Sequence, residues 1–288
     1  MKKGLILEGG AMRGLFTAGV MDVLMENGIV FDGAIGVSAG AAFGCNYKSK
    51  QIGRVLRYNT TYVRDKRYCG MRVFLKTGNI YSTEFCYDEV PNKLDLFDYD
   101  TYEKNPMEFY VVATDVETGK AIYHKYVGRD DHGLDWIRAS ASMPLVSKMV
   151  EIDGKKMLDG GAADSLPLKY FESIGYDRNV VILTKPKGYK KSKNKVLPLI
   201  KIKYRKYPEF VNAMANRHVV YNEALEYIEK KEKAGEVFVI RPEEELPVKR
   251  VEKDVDKLKL AYEIGRQIAK KQLTKLMKHA ARRSRGNP

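Results

Sequence analysis

Two short motifs in this chain carry residues that could do chemistry together. They are Gly36-Val37-Ser38-Ala39-Gly40 and, far downstream, Asp159-Gly160-Gly161. The first has the form G-x-S-x-G, the sharp turn that lifts a serine hydroxyl out of a strand end. Side chains at the flanking glycines would collide with so strained a turn. By composition alone the pentapeptide recurs in about one chain in ten of this length, so its setting has to carry the weight. An apolar stretch precedes it and small residues follow, the strand–turn–helix that such an elbow needs. The second motif puts a carboxylate on tightly turning backbone, where the glycines permit close approach to another segment. Together the motifs suggest a serine hydrolase whose base is an aspartate. The alternative is a structural turn serine and an ordinary Asp-Gly turn.

A serine hydroxyl is a poor nucleophile until a base takes its proton. The chain has only four histidines. His124 falls in an expected strand, His132 in a polar loop and His279 near the C-terminal tail. Only His218 follows the order Ser…Asp…His of the α/β-hydrolases, and it stands in mid-helix beside Arg217. It remains the competing base. Asp159 is preferred for its glycines, and as a base its pKa would have to be raised by partial burial.

A third motif, Gly9-Gly10-Ala11-Met12-Arg13-Gly14, follows a strand and opens a helix. Consecutive N–H groups at such a turn can bind an anion, helped by the helix dipole. In an acyl-transfer enzyme that anion is the tetrahedral oxyanion; in a nucleotide enzyme it is phosphate. The P-loop ending is absent and G-x-G-x-x-G is broken at Ala11, which weighs against a nucleotide. Arg13 could steady the loop or attract an anionic headgroup.

The elements that must position these residues read as an α/β pattern. Residues 4–8 form a buried strand, 15–27 a helix, 34–37 a strand and 38–47 a helix, the alternation that builds a parallel sheet. Residues 50–100 are aromatic-rich and less regular, and read as a cover or lid. Strands follow at 109–114 and 120–126, a helix at 134–142, and a hairpin at 150–158 with Asp153-Gly154 at its turn. The hairpin delivers the chain to Asp159. Residues 179–184 are another strand and 185–206 a loosely held basic segment. A long helix spans 209–233, a last strand 236–240, and a second long helix runs from 254 to about 283. Its apolar stripe (Leu258, Ala261, Tyr262, Ile264, Gly265, Ile268, Leu273, Leu276, Met277) packs on the body or lies on a membrane surface. Residues 280–288 read as a frayed tail.

With 288 residues, 44% of them hydrophobic and 31% charged, the chain is globular in composition. It has no apolar run of the ~18 residues that a spanning helix needs. The apolar start after Lys3 is too short for a signal peptide. The three cysteines (Cys45, Cys69, Cys86) have no metal spacing and read as reduced thiols of a cytoplasmic protein. The net charge is +14, concentrated at 185–206 and 257–285. Such a surface favours phospholipid headgroups, nucleic acid or acidic protein, or simply keeps the protein soluble. No helix-turn-helix, zinc or RNA-binding signature accompanies the charge, so nucleic acid is not expected.

In their order along the chain, the three motifs resemble the patatin-like phospholipase family. Ala113-Thr114-Asp115 and Ala139-Ser140-Ala141-Ser142-Met143-Pro144 resemble segments of its bacterial members. The resemblance covers residues 4–175 and continues more loosely to the C-terminus. It implies a three-layer α/β/α sandwich with a mostly parallel sheet, a catalytic domain at 4–175 and a C-terminal extension at 176–288 packed on it. It implies that Ser38 is the nucleophile and forms an acyl-enzyme, and that Asp159 is the general base for Ser38 and then for water. The N–H groups of Gly9, Gly10, Ala11, Met12, Arg13 and Gly14 would form the oxyanion hole. No cofactor and no metal are implied. The expected partner is a lipid or acyl ester, with peripheral contact to an anionic membrane. Phospholipid, lysophospholipid, acylglycerol and short ester stay open as substrates. So do acyl transfer to another acceptor and an inactive membrane- or partner-binding role. The family usually has glycine where this chain has Ala11, and a methyl group restricts positive φ there.

Overall fold

The alternation within the first strand decides which layers flank it. Leu5 and Leu7 enter one apolar cluster and Ile6 enters another, so this strand is covered on both faces, as a parallel sheet requires. The computed structural model describes residues 1–132 and 134–281. Its strands are β1 (Lys2–Leu7), β2 (Gly33–Val37), β3 (Glu108–Asp115), β4 (Ala121–Lys125), β5 (Val150–Ile152), β6 (Lys155–Asp159), β7 (Tyr176–Ile182) and β8 (Val237–Ile240). They form one eight-stranded sheet in the order β5-β6-β3-β2-β1-β7-β8, with β4 also on β3. Neighbours from β3 through β8 are parallel, whereas β4 and β6 run antiparallel to β3.

The helices are α1 (Gly14–Glu26), α2 (Ala39–Lys48), α3 (Arg54–Tyr62), α4 (Met71–Thr77), α5 (Tyr99–Lys104), α6 (Asp135–Ser140), α7 (Leu168–Ser173), α8 (Leu197–Lys203), α9 (Pro208–Lys233) and α10 (Val255–Ala281). Helices α1, α2, α6 and α10 supply the first apolar cluster, and α7 and α9 the second. The result is the three-layer α/β/α sandwich with a helical C-terminal region.

Two segments depart from the expected pattern. Residues 50–100 are helical over α3, α4 and a π-helical turn at Phe85–Leu94 that contains Pro91. Their aromatics pack edge to face, Tyr62 and Tyr68 on Phe85, so contact between segments replaces a clean helical period. The basic segment 185–206 holds α8, started by Pro198 and pinned by Ile200 and Tyr204, both buried against Phe210. The expected tail at 280–288 lies, from residue 282 onward, outside the described residues.

Helix α10 lies along α1, not on a free surface. Tyr262 donates to the Asp22 carboxylate at 2.6 Å, and Arg266 makes a bidentate pair with Glu26 at 2.8 and 2.9 Å. Met277, expected in the buried stripe, is 48% exposed. Gly265 sets the approach: a Cβ there would lie 2.1 Å from the Phe16 carbonyl oxygen. Gly265→Ala must therefore push the two helices apart. It should lose about 1–3 kcal/mol, measured as a lower urea midpoint.

Candidate active site

Strand register sets the level of the Ser38 and Asp159 side chains. Val37, the last residue of β2, is level with Val112 of β3, and Asp159, the last of β6, is opposite Ala113 of β3. Ser38 follows Val37, so it and Asp159 reach the same level from the two sides of β3. The Ser38 hydroxyl lies close enough to the Asp159 carboxylate to favour its charged form.

The Ser38 backbone is a strained elbow, with φ 57° and ψ −123°, a region that non-glycine residues avoid. Its N–H donates to Ser140 Oγ at 2.8 Å. Its carbonyl accepts from Ala41 and Ala42, at 2.9 and 3.0 Å, as α2 begins. Gly40 has to be glycine because a Cβ there would lie 2.2 Å from the Leu7 carbonyl oxygen. Gly36 and Val37 line up in the buried β2, and Ala39 opens the helix.

The Gly9–Gly14 loop leaves the end of β1, next to β2, and rests on this elbow. A Cβ on Gly9 would lie 2.8 Å from Ser38 Cβ. Arg13 N–H closes the turn on the Gly10 carbonyl at 3.2 Å, and Met12 N–H reaches the Arg250 carbonyl at 3.4 Å. Among the described residues the N–H groups of Gly9 and Gly10 have no protein acceptor. Ala11 takes φ 50°, the conformation in which glycine is at ease. Glu8, just before the loop, is buried. Its carboxylate accepts from Tyr221 OH at 2.5 Å and from Thr184 N and Oγ1 at 2.5 and 3.0 Å.

Asp159 is 7% exposed. Its Oδ1 accepts from Gly161 N–H at 2.8 Å, its own N–H donates to Ser142 O at 2.9 Å, and its carbonyl accepts from Thr114 Oγ1 at 2.9 Å. Burial raises its pKa above the ordinary 3.8. The nearby Ser38 hydroxyl, the Arg217 charge, the Gly161 N–H and the Arg250 charge act in the opposite direction. Gly160 and Gly161 form the short 3-10 turn that comes next, and Arg217 Nε of α9 donates to the Gly161 carbonyl.

The structure thus brings Ser38, Asp159 and the Gly-rich loop together, and His218 is not part of that assembly. His218 Nδ1 faces Ala215 O on its own helix at 3.1 Å; the α9 residue on the Asp-Gly-Gly turn is Arg217. His124 stacks on Trp136 and pairs with Asp131, His132 faces Asp153, and His279 packs on Phe238. Sequence reasoning missed Glu8, Arg250 and the role of Ser140. Nothing local marks any of them, since each acts on a segment distant in the chain. Ser38, Ala11 and Met12 also border an apolar cavity of about 120 Å³, lined further in by Phe43, Tyr87 and Ile137.

Two outcomes test this local physics. The folded protein binds the Asp159 proton more tightly than the unfolded chain does, because its pKa is raised. That group's favourable contribution is complete below pH ~3.8 and is lost as pH rises through the folded value. Asp159→Asn should therefore raise the urea midpoint at pH 7, and the gain should vanish near pH 4. A left-handed alanine costs about 1–2 kcal/mol, offset by the greater unfolded freedom of glycine, about 0.4–1 kcal/mol. Ala11→Gly should therefore stabilise the protein by up to about 1.5 kcal/mol in the same assay.

Comparison with known proteins gives the family. The profile described as patatin-like phospholipase matches residues 5–172, and one described only as a domain of unknown function matches 207–280. The chain is 26% identical over 291 residues to the uncharacterized protein YjjU of Escherichia coli (strain K12), covering 91% of this chain and 74% of that one. It is 29% identical over 187 residues to lysophospholipase nte1 of Emericella nidulans, covering 60% of this chain but only 11% of that protein. An uncharacterized NTE family protein of Mycobacterium bovis is 26% identical over 178 residues, covering 62% and 48%. The crystal structure of VipD from Legionella pneumophila aligns with TM-score 0.48 and 13% identity over 96% of this chain and 67% of that one. With the patatin-like profile spanning more than half of its length, the chain belongs to the patatin-like phospholipase family, a family of lipid hydrolases.

Proposed function

We propose that the protein is a serine carboxylic-ester hydrolase of the phospholipase A or esterase type, acting on lipid acyl chains through a Ser38–Asp159 dyad. The observation that carries this reading is the strand register that brings Ser38, on a strained elbow, to the level of the buried Asp159 carboxylate. As Ser38 Oγ bonds to the ester carbonyl carbon, its proton passes to Asp159. Negative charge then gathers on the carbonyl oxygen, where the Gly9 and Gly10 N–H groups are available as donors. Collapse breaks the bond to the alcohol, which takes the proton from Asp159. Water repeats the sequence on the acyl-enzyme: its proton goes to Asp159, the acid leaves, and Ser38 recovers its proton. The apolar cavity beside Ser38 suits the acyl chain.

Among the described residues no helix is long and apolar enough to cross a membrane. Contact with lipid is therefore proposed to be peripheral. Helix α8 suits it, because Leu199 and Ile202 are 56% and 71% exposed there beside Lys201 and Lys203.

Ser38→Ala and Asp159→Asn should each lower turnover of an activated acyl ester by roughly 10³-fold or more without unfolding the protein. A fluorophosphonate should label Ser38 in the unaltered chain. Full activity in Asp159→Asn together with an inactive His218→Ala would sink the dyad.

A further inference from the structure

Cationic side chains gather around the Gly-rich loop and the Asp-Gly-Gly turn. Arg13 belongs to the loop; its Nε is closed off from solvent and has no hydrogen-bond partner. The Arg217 guanidinium rests on the Gly161 carbonyl. Arg250 is pinned to the loop through its carbonyl, which accepts from Met12 N–H, and its side chain is open to solvent. Lys191 is held by two hydrogen bonds between its backbone and Asn222, at 2.8 and 3.0 Å, with Nζ 4.1 Å from the centre of the Tyr221 ring.

Among the described residues none of these four forms an ion pair. The two carboxylates near them are already engaged. Glu8 accepts from Tyr221 and Thr184, and Asp159 accepts from Gly161. None of the four borders the apolar cavity, although Ala11, Met12 and Ser38 do. The loop thus separates an apolar side from a cationic one, with the reactive hydroxyl between them.

We propose that Arg13, Lys191, Arg217 and Arg250 form a subsite for a phosphomonoester dianion on the alcohol side of the scissile ester, so that the preferred substrate is an acyl glycerol phosphate with a terminal phosphate. The proposal rests on the hydrolase reading above and adds the headgroup to it. Three unpaired guanidinium cations and Lys191 match a dianion, and a headgroup ending in a quaternary ammonium would add a further cation to them. Burial, and then the Arg217 charge, push the Lys191 pKa down to about 7. A bound dianion would restore its proton, which ties occupancy to charge. Three of the four lie beyond the patatin-like match at 5–172, and two of those fall within the 207–280 match. The C-terminal region would then supply headgroup selection to a dyad made by the N-terminal part.

The test uses three soluble dihexanoyl glycerides below their micelle concentrations: the phosphomonoester, the phosphocholine and the uncharged diacylglycerol. The phosphomonoester should lead in kcat/KM. Lys191→Gln and Arg250→Gln should each lower its kcat/KM relative to the diacylglycerol by about tenfold, the scale of one charge-assisted hydrogen bond. Arg250→Lys should keep most of the preference. Glycerol 3-phosphate, and not glycerol, should raise the thermal midpoint of the Ser38→Ala protein, an effect lost with Lys191→Gln added. Equal kcat/KM on the three glycerides, or an equal drop on all three in the variants, would overturn the subsite. Inorganic phosphate protecting as well as glycerol 3-phosphate, with no preference among glycerides, would make it a free-phosphate site instead. If no glyceride is turned over and Ser38 resists the fluorophosphonate, the hydrolase reading falls. Protection by glycerol 3-phosphate still judges the cation site in that case.

Discussion

The Asp159 carboxylate sits where burial disfavours its charge, and the arrangement around it keeps that charge usable. Left alone in an apolar interior, the group would hold its proton and could not accept one. Here Gly161 N–H donates to it, and the Ser38 hydroxyl and the Arg217 and Arg250 charges lie close enough to favour its charged form. The opposing effects leave a pKa above the ordinary value. That balance is what a carboxylate base needs, and it depends on contacts from widely separated parts of the chain. Ser142 and Thr114 fix the Asp159 backbone, and Arg217 of α9 fixes the turn after it.

The same logic applies to strain. Ser38 and Ala11 both hold positive φ, and neither would stay there in an isolated peptide. Ser38 is held by Ser140 on one side and by the first turn of α2 on the other. Ala11 is held because Met12 N–H is tied to Arg250 and Glu8 is locked by Tyr221 and Thr184. The anchors of the loop therefore come from β7's end, from α9 and from the segment before α10. Packing of α10 on α1, with Gly265 at the contact, seats the helix into which the loop runs.

How much of this is legible in the sequence depends on the range of each interaction. Strands β1 and β2, helices α1 and α2, the hairpin before Asp159 and both long C-terminal helices stand out because their signals are local: apolar period, capping glycines, an Asp-Gly turn. Ser38 and Asp159 stand out because strained turns demand glycine neighbours. Residues 50–100 read as irregular because aromatics such as Phe85 serve contacts between segments and blur the helical period. Helix α8 is hidden by its lysines, since one buried face, Ile200 and Tyr204, is enough to hold it. Glu8, Ser140 and Arg250 leave no local trace at all. A buried glutamate looks like any other until Tyr221, more than two hundred residues later, is seen donating to it.

That last contact bears on how the chain divides. The patatin-like match ends at residue 172, which would suggest a catalytic unit complete without the C-terminal region. Yet Glu8 would be a buried carboxylate without its phenol donor if α9 were absent, and such a group is expensive to leave unsatisfied. The Gly161 carbonyl would lose Arg217, and Met12 N–H would lose its acceptor on Arg250. Each loss falls on the loop or the turn that flanks Ser38 and Asp159, and none falls on the far side of the sheet. The C-terminal region is therefore built into the site's geometry, which is the condition under which the same helix and loop can also present cations beside Ser38.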